Sequence, residues 1–159
     1  GIYMKKVMFI SSMGGHLTEM MQLKGIFKNY DYMIVTEKHK STSWLKTRYK
    51  SKIDYLIAAN RKHMLKYIFA IPYNALKSFK IFLKFKPDVI VTTGAHTCVL
   101  MCYIAKLFKK KVIFIESFAN IETKTLTGKL VYPIADIFIV QWKSMLKLYP
   151  KAKYEGWIF

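Results

Sequence analysis

Val7-Met8-Phe9-Ile10-Ser11-Ser12-Met13-Gly14-Gly15-His16-Leu17 decides the fold. Val7–Ser11 runs apolar without alternation, as a strand buried on both faces does. A polar and glycine exit follows, and then Leu17, Met20, Met21, Leu23, Ile26 and Phe27 recur at helical spacing. The same pattern repeats along the chain. Strand-like runs recur at Tyr32–Thr36, Ile53–Ala58, Val89–Thr93, Val112–Glu116 and Ile137–Gln141. Helical patterns fill Ala95–Phe108 and the short Ser144–Leu148, which Pro150 ends. Strand then helix, repeated, predicts a parallel sheet covered on both faces: a doubly wound, Rossmann-like α/β domain. The 159 residues are read as one such domain, 1–159.

Composition narrows the function classes. Hydrophobic residues make up 53%, enough for a real core, which excludes a disordered chain. Lys and Arg total 27 against 9 acidic residues, a net charge of +18. Only Arg48 and Arg61 are arginines, so the field is one of diffuse point charges rather than bidentate forks. Such a surface calls for anionic partners. Cys98 and Cys102 sit in an apolar run and read as small core residues in a reducing compartment. No spacing of His, Cys or carboxylates makes a metal site, and no cofactor is expected. No run approaches the ~18 apolar residues of a spanning helix, which predicts peripheral attachment if a membrane is involved.

Ligands of doubly wound domains sit beyond the carboxyl ends of the strands. Ser12, Gly14, Gly15 and His16 follow the first strand, and Thr93, Gly94 and His96 end or follow the fourth. Glu116, Ser117 and Asn120 mark the fifth exit, and Gln141 and Trp142 the sixth. Glycines let a backbone pass close to a ligand, and a histidine there can take a proton or meet a phosphate. Each exit taken singly reads as plain turn chemistry, and it is the two glycine exits that both end in His that together point to a site. On the turn reading His16 would cap a turn, Thr93 would cap a helix, and Glu116 would pair with a lysine. Gly-x-Gly-x-x-Gly is absent, yet Glu37 at the end of the second strand leaves a nucleotide site open.

The segment 62–86 is the other informative stretch. Lys62, Lys66, Tyr73, Lys77, Lys80 and Lys84 share one direction of a helix, with Met64, Ile68, Ile71, Ala75, Phe79 and Phe82 opposite. Pro72 is expected to kink or divide it. One reading is an ordinary surface helix with its apolar side on the sheet. The other is a basic, greasy segment lying on an anionic bilayer, with Lys62, Lys66, Lys77, Lys80, Lys84, Phe79 and Phe82 at the membrane.

Several motifs together resemble a known family. They are Ser-Ser-Met-Gly-Gly-His-Leu at 11–17, Glu-Ser-Phe-Ala at 116–119, Leu-Thr-Gly-Lys at 126–129, Ala-Asp-Ile-Phe-Ile-Val-Gln-Trp at 135–142 and Tyr-Glu-Gly at 154–156. This set is similar to the PssD/CpsF-type capsule and exopolysaccharide proteins of bacteria. Their eukaryotic relative is the membrane-anchoring subunit of a two-part N-acetylglucosaminyltransferase acting on dolichol-linked sugar. The resemblance implies the N-terminal half of a GT-B glycosyltransferase, with a separate polypeptide holding the UDP-sugar. It implies an acceptor that is a polyprenyl-diphosphate-linked saccharide, and a place at the cytoplasmic face of the plasma membrane. His16, His96 and Glu116 are then the candidates for the base. Ser12, Gly14, Gly15, Thr93, Gly94, Ser117 and Asn120 would line the acceptor site. Gln141, Trp142, Tyr154, Trp157 and Phe159 would dock on the partner, unless the tail pairs as an edge strand of its own sheet. Two readings compete: a basic nucleic-acid-binding module, disfavoured by the scarcity of Arg and the lack of any such module, and a self-sufficient nucleotide-dependent enzyme.

Overall fold

The structure is a computed structural model and describes residues 4–58, 64–94, 96–117 and 125–154. Six parallel strands form one sheet: β1 (Lys6–Ser11), β2 (Asp31–Lys38), β3 (Ile53–Ile57), β4 (Val89–Gly94), β5 (Lys111–Ile115) and β6 (Ile137–Ile139). Their order is β3-β2-β1-β4-β5-β6. Strand order therefore reverses between β1 and β4, where a doubly wound sheet opens its ligand crevice. All six predicted strands are present. The continuous apolar runs explain why, since β1 is buried from Val7 to Ser11.

The helices divide between the two faces. On one lie α4 (Met64–Phe85), α5 (Val99–Leu107) and α6 (Leu126–Val131), packed on a core that includes Met8, Ile10, Ile90, Met101 and Phe138. On the other lie α1 (Gly15–Met21), α2 (Lys24–Phe27) and α3 (Trp44–Tyr49), packed on Val7, Phe9, Ile34 and Ile53. The first helical pattern is thus split in two at Gln22 and Leu23, and the run from Ala95 enters α5 through a single 3-10 turn, His96–Cys98. Cys98 and Cys102 are buried thiols that form no disulfide; a hydrogen bond with Cys98 and burial push the Cys102 thiol well up.

The second face is only partly covered. Val89 and Val91 of β4, Ile113 and Ile115 of β5, and Ile139 of β6 point to the side of α1 and α2. Between them and Leu23 and Ile26 runs an apolar groove of about 400 Å³. Among the described residues, no helix closes it.

Helix α4 departs from expectation in three ways. Pro72 does not divide it into two helices. Its buried strip is narrow, made of Ala70, Ser78, Ile81 and Phe82, and Asn74 docks it by exchanging two 2.8 Å hydrogen bonds with the Ile57 backbone on edge strand β3. Phe82 is 3% exposed and stacks near Phe108, so it belongs to the core and not to a membrane surface. Finally, the lysines do not oppose the apolar side. Leu65, Phe69 and Leu76 are 75%, 72% and 75% exposed, and with Leu83 they occupy the side away from the sheet. Lys77, Lys80 and Lys84 flank this face instead, and Lys77 pairs with Asp54 at 3.3 Å. At ~100° per residue, one helix carries a core strip, a cationic flank and a bare apolar face.

Candidate functional site

The exits of β1 and β4 are joined at the switch point. Ser12 N–H donates to Gly94 O at 2.8 Å, and the Ser12 and Thr97 hydroxyls meet at 2.7 Å. Met13 N–H donates to Glu37 Oε1 at 2.9 Å. Glu37 is buried, so it braces this loop and is not presented as a ribose ligand. Gly14 then takes φ +84°, a conformation closed to ordinary L residues, and the chain enters α1.

His16 is held from two directions. Its Nδ1 lies 2.9 Å from Thr93 O, and the Thr93 hydroxyl donates to His16 O at 2.6 Å. A carbonyl only accepts, so Nδ1 carries a proton, and in the neutral ring Nε2 is the acceptor. That is the tautomer a proton acceptor needs. Gly94, at φ +98°, passes under the ring; a Cβ there would sit 3.2 Å from His16 Nδ1. Thr93 therefore latches His16 rather than capping the next helix.

The fifth exit is built for rigidity. Glu116 is 2% exposed; its Oε1 accepts from Ser117 N–H at 3.0 Å and its Oε2 from the Thr125 hydroxyl at 3.2 Å. Thr125 also accepts from Gly128 N–H at 3.0 Å, capping α6. Gly128 is required by space. A Cβ would fall 2.6 Å from the Tyr149 hydroxyl and 2.7 Å from Glu116 Oε2. Burial, then the Glu116 charge and Tyr132, push the Tyr149 hydroxyl up to about 12. Glu116 is thus a buried brace between β5 and α6, which corrects its placement on the cleft wall.

Ser117 reaches the site through Glu19, donating its hydroxyl to Glu19 Oε1 at 2.8 Å. The other Glu19 oxygen is buried and has no hydrogen-bond partner among the described residues. Glu19, one turn beyond His16, and Thr97 went unmarked in the sequence, although helical spacing alone puts Glu19 beside His16. The structure brings together Ser12, Gly14, Gly15, His16, Thr93, Gly94 and, through Glu19, Ser117. The His96 side chain, Asn120, Lys62, Trp157 and Phe159 lie outside the described residues. Gln141 is 1% exposed and Trp142 packs on the core, so neither forms a free docking surface. Lys153 pairs with Ile139 as a bridge beside β6, and Tyr154 is exposed next to it. Among the described residues, no group of His, Cys, Asp or Glu is placed to hold a metal, and no helix is long and apolar enough to cross a membrane.

Comparison with known proteins places this geometry. Among solved structures, MurG of Acinetobacter baumannii superposes with a TM-score of 0.70 at 14% identity, over 88% of this chain and 42% of that one. The UDP-N-acetylglucosamine 2-epimerase of Rickettsia bellii gives 0.72 at 17%, over 98% and 46%. The chain thus spans less than half of either structure, and the likeness is one of fold. Among sequences, the UDP-N-acetylglucosamine transferase subunit ALG14 of Mus musculus is 28% identical over 177 residues, covering 95% of this chain and 82% of that protein. The same subunit of Candida albicans is 41% identical over 99 residues, 57% of this chain and 45% of that one. The family model described as "Oligosaccharide biosynthesis protein Alg14 like" matches residues 6–158, and the chain therefore belongs to the Alg14-like family.

Proposed function

We propose that this chain is the acceptor-binding, membrane-associated subunit of a two-polypeptide UDP-sugar glycosyltransferase. It presents a polyprenyl-diphosphate-linked saccharide to a separate donor-binding polypeptide, and the pair forms the cleft. The motifs at 116–119 and 126–129 point to capsule or exopolysaccharide synthesis at the cytoplasmic face of a bacterial plasma membrane. The observation that carries the reading is the apolar groove over β4, β5 and β6, which no helix among the described residues covers. A doubly wound sheet buries both faces, so this groove fits a partner segment laid across it. Membership of a family whose relatives are named as transferase subunits supports the same reading.

In the proposed reaction an acceptor hydroxyl attacks the anomeric carbon of the UDP-sugar. Its proton passes to His16 Nε2, the bond to UDP breaks with its electron pair leaving on UDP, and the configuration inverts. Gly14, Gly15 and Gly94 give the acceptor close approach, while Thr93 fixes the ring. Attachment comes from α4, its apolar face in the acyl boundary and Lys77, Lys80 and Lys84 at phosphate depth.

Co-expression with the product of the adjacent reading frame, followed by a UDP-sugar screen on a lipid-linked acceptor, tests the proposal. Transfer is expected from the pair and not from this chain alone. Transfer by the isolated chain overturns it, as does tight nucleic-acid binding without binding to anionic liposomes.

A further inference from the structure

We propose that Glu19 selects the acceptor sugar, its carboxylate receiving a ring hydroxyl other than the one that attacks. This rests on the acceptor-binding role above and on His16 as base, and adds the residue that reads which sugar is presented.

Nine acidic residues stand against 27 basic ones, so a carboxylate in this chain has cations at hand. Asp31, Asp54 and Asp136 each lie within 4.0 Å of a lysine. Glu37 holds Met13 N–H, Asp88 holds Lys6 N–H, and Glu116 holds both Ser117 N–H and the Thr125 hydroxyl. Glu19 is different. Among the described residues no cation lies within 4.0 Å of it, and its carboxylate holds one hydrogen bond, from the Ser117 hydroxyl at 2.8 Å. An ionised carboxylate has about four lone-pair sites, so most of its capacity is unused. Its Oε2 is shut from water and has no hydrogen-bond partner among the described residues, which is costly for a charged acceptor. A donor brought by a ligand removes that cost.

The place of Glu19 defines the donor. With no cation beside it, the carboxylate is not half of an ion pair, and it accepts from neutral O–H or N–H groups. A phosphate is excluded, since two anions repel. A sugar ring presents such neutral donors side by side. Glu19 stands one helical turn beyond His16 on the same face of α1, where Cβ atoms are about 5–6 Å apart, close to the width of one sugar ring. With the attacking hydroxyl at His16 Nε2, another hydroxyl of the same ring falls to Glu19.

Both groups are set in advance. Thr93 latches His16 to the exit of β4. Ser117, at the exit of β5, holds Glu19 and is itself held through its N–H by Glu116. Two acceptors on one short helix are thus tied to two neighbouring strands, and such rigidity is what discrimination between ring positions needs. Glu19 as a whole is only part-buried, so it borders the cleft. Its last torsion is broad and two-fold, and turning about it brings either oxygen forward without moving the helix.

The test uses this chain with the product of the adjacent reading frame. Farnesyl-diphosphate-linked glucose, galactose and N-acetylglucosamine are offered first, then the deoxy derivatives of the sugar that is extended. One ring position besides the attacking one should matter, its deoxy derivative losing about 10–100-fold in kcat/KM with wild type. E19A should lose about as much on the intact sugar and should extend that derivative no worse, because the contact is already gone. E19Q still accepts from Ser117, so its loss of discrimination separates selection from bracing and does not depend on how E19A folds. Wild-type discrimination in E19Q overturns the proposal. So does a loss in E19A that is equal for the intact sugar and every deoxy derivative, which makes Glu19 only a brace between α1 and β5. Either result leaves the acceptor role standing. Extension of none of the three sugars by the wild-type pair sinks that role, and the role of Glu19 with it.

Discussion

Replacing Leu65, Phe69, Leu76 and Leu83 together by Ser should detach the protein from membranes without unfolding it. Three of these side chains are about three-quarters exposed and the fourth about half, so almost none of their burial is used by the fold. Complete burial of such a side chain is worth ~1.5–3 kcal/mol, and roughly two-thirds of that remains available to a bilayer. Four side chains then contribute about 5 kcal/mol, three to four orders of magnitude in partitioning. The lysines should matter less. Each is worth ~1 kcal/mol near an anionic surface, and Lys77 is already engaged by Asp54. Vesicle flotation at low and high salt separates the terms. K77E/K80E/K84E should weaken binding by about one to two orders of magnitude at low salt, with much less effect near 1 M, where the screening length is ~3 Å. The Ser variant should lose binding at both salts while its thermal unfolding midpoint stays within a few degrees of wild type. Flotation of the Ser variant equal to wild type refutes the assignment of α4 as the membrane element. A large fall in its unfolding midpoint refutes the claim that this face is free of the core.

Other outcomes follow from the site. H16A, assayed with the donor-binding partner, should reduce transfer by about 10²–10⁴-fold and leave complex formation intact; unchanged turnover removes His16 as base. G128A should lower the unfolding midpoint by several degrees, since overpacking against Tyr149, Glu116 and Thr125 costs ~1–3 kcal/mol. Tyr149, pushed up to about 12 in the folded chain against ~10 unfolded, holds its proton more tightly when folded. Its stabilisation is complete below pH ~10 and is lost as pH rises toward 12, so Y149F should flatten alkaline denaturation measured by circular dichroism. Burial raises the Asp136 carboxyl, but the Lys106 and Val112 hydrogen bonds and the Lys106 and Lys111 charges outweigh it and hold it low. Its contribution should be present above pH ~4 and fade below, and D136N should lose that acid-side dependence.

Sequence pattern carried most of the fold because buried parallel strands have no solvent side to vary. β1, β4 and β5 announce themselves as unbroken apolar runs between turn residues, whereas the reversal of strand order between β1 and β4 leaves no mark in the pattern. Pattern failed where one element serves two environments. In α4 a periodicity count finds lysines on one side and apolar residues on the other, and the obvious inference sends the apolar side inward. Yet Ala70 and Ser78, the small residues that let α4 close on the sheet, carry almost no hydrophobic signal, while Leu65, Phe69 and Leu76 carry most of it and face out. At the site, the glycines and His16 were legible because backbone conformation restricts the residue type. Glu116 was legible as a position but not as a role, since a carboxylate after a strand looks the same whether it meets a sugar or the Thr125 hydroxyl.

Two apolar surfaces that the described residues leave bare, the α4 face and the groove over β4, β5 and β6, belong to opposite faces of the same sheet. A single bilayer plane cannot lie flat on both, so each needs its own cover. The α4 face is convex and flanked by lysines, as suits a lipid headgroup layer. The groove is concave and walled by Leu23 and Ile26, with Lys5 its one cation among the described residues, as suits a protein segment. The switch-point site with His16 opens at the carboxyl edge of the sheet, between the two. A lipid-borne acceptor arriving from the α4 side and a donor held by a partner from the groove side would therefore meet at that edge. On this arrangement, substitutions in the groove should abolish transfer without releasing the chain from vesicles, and substitutions on α4 should release it without weakening the partner.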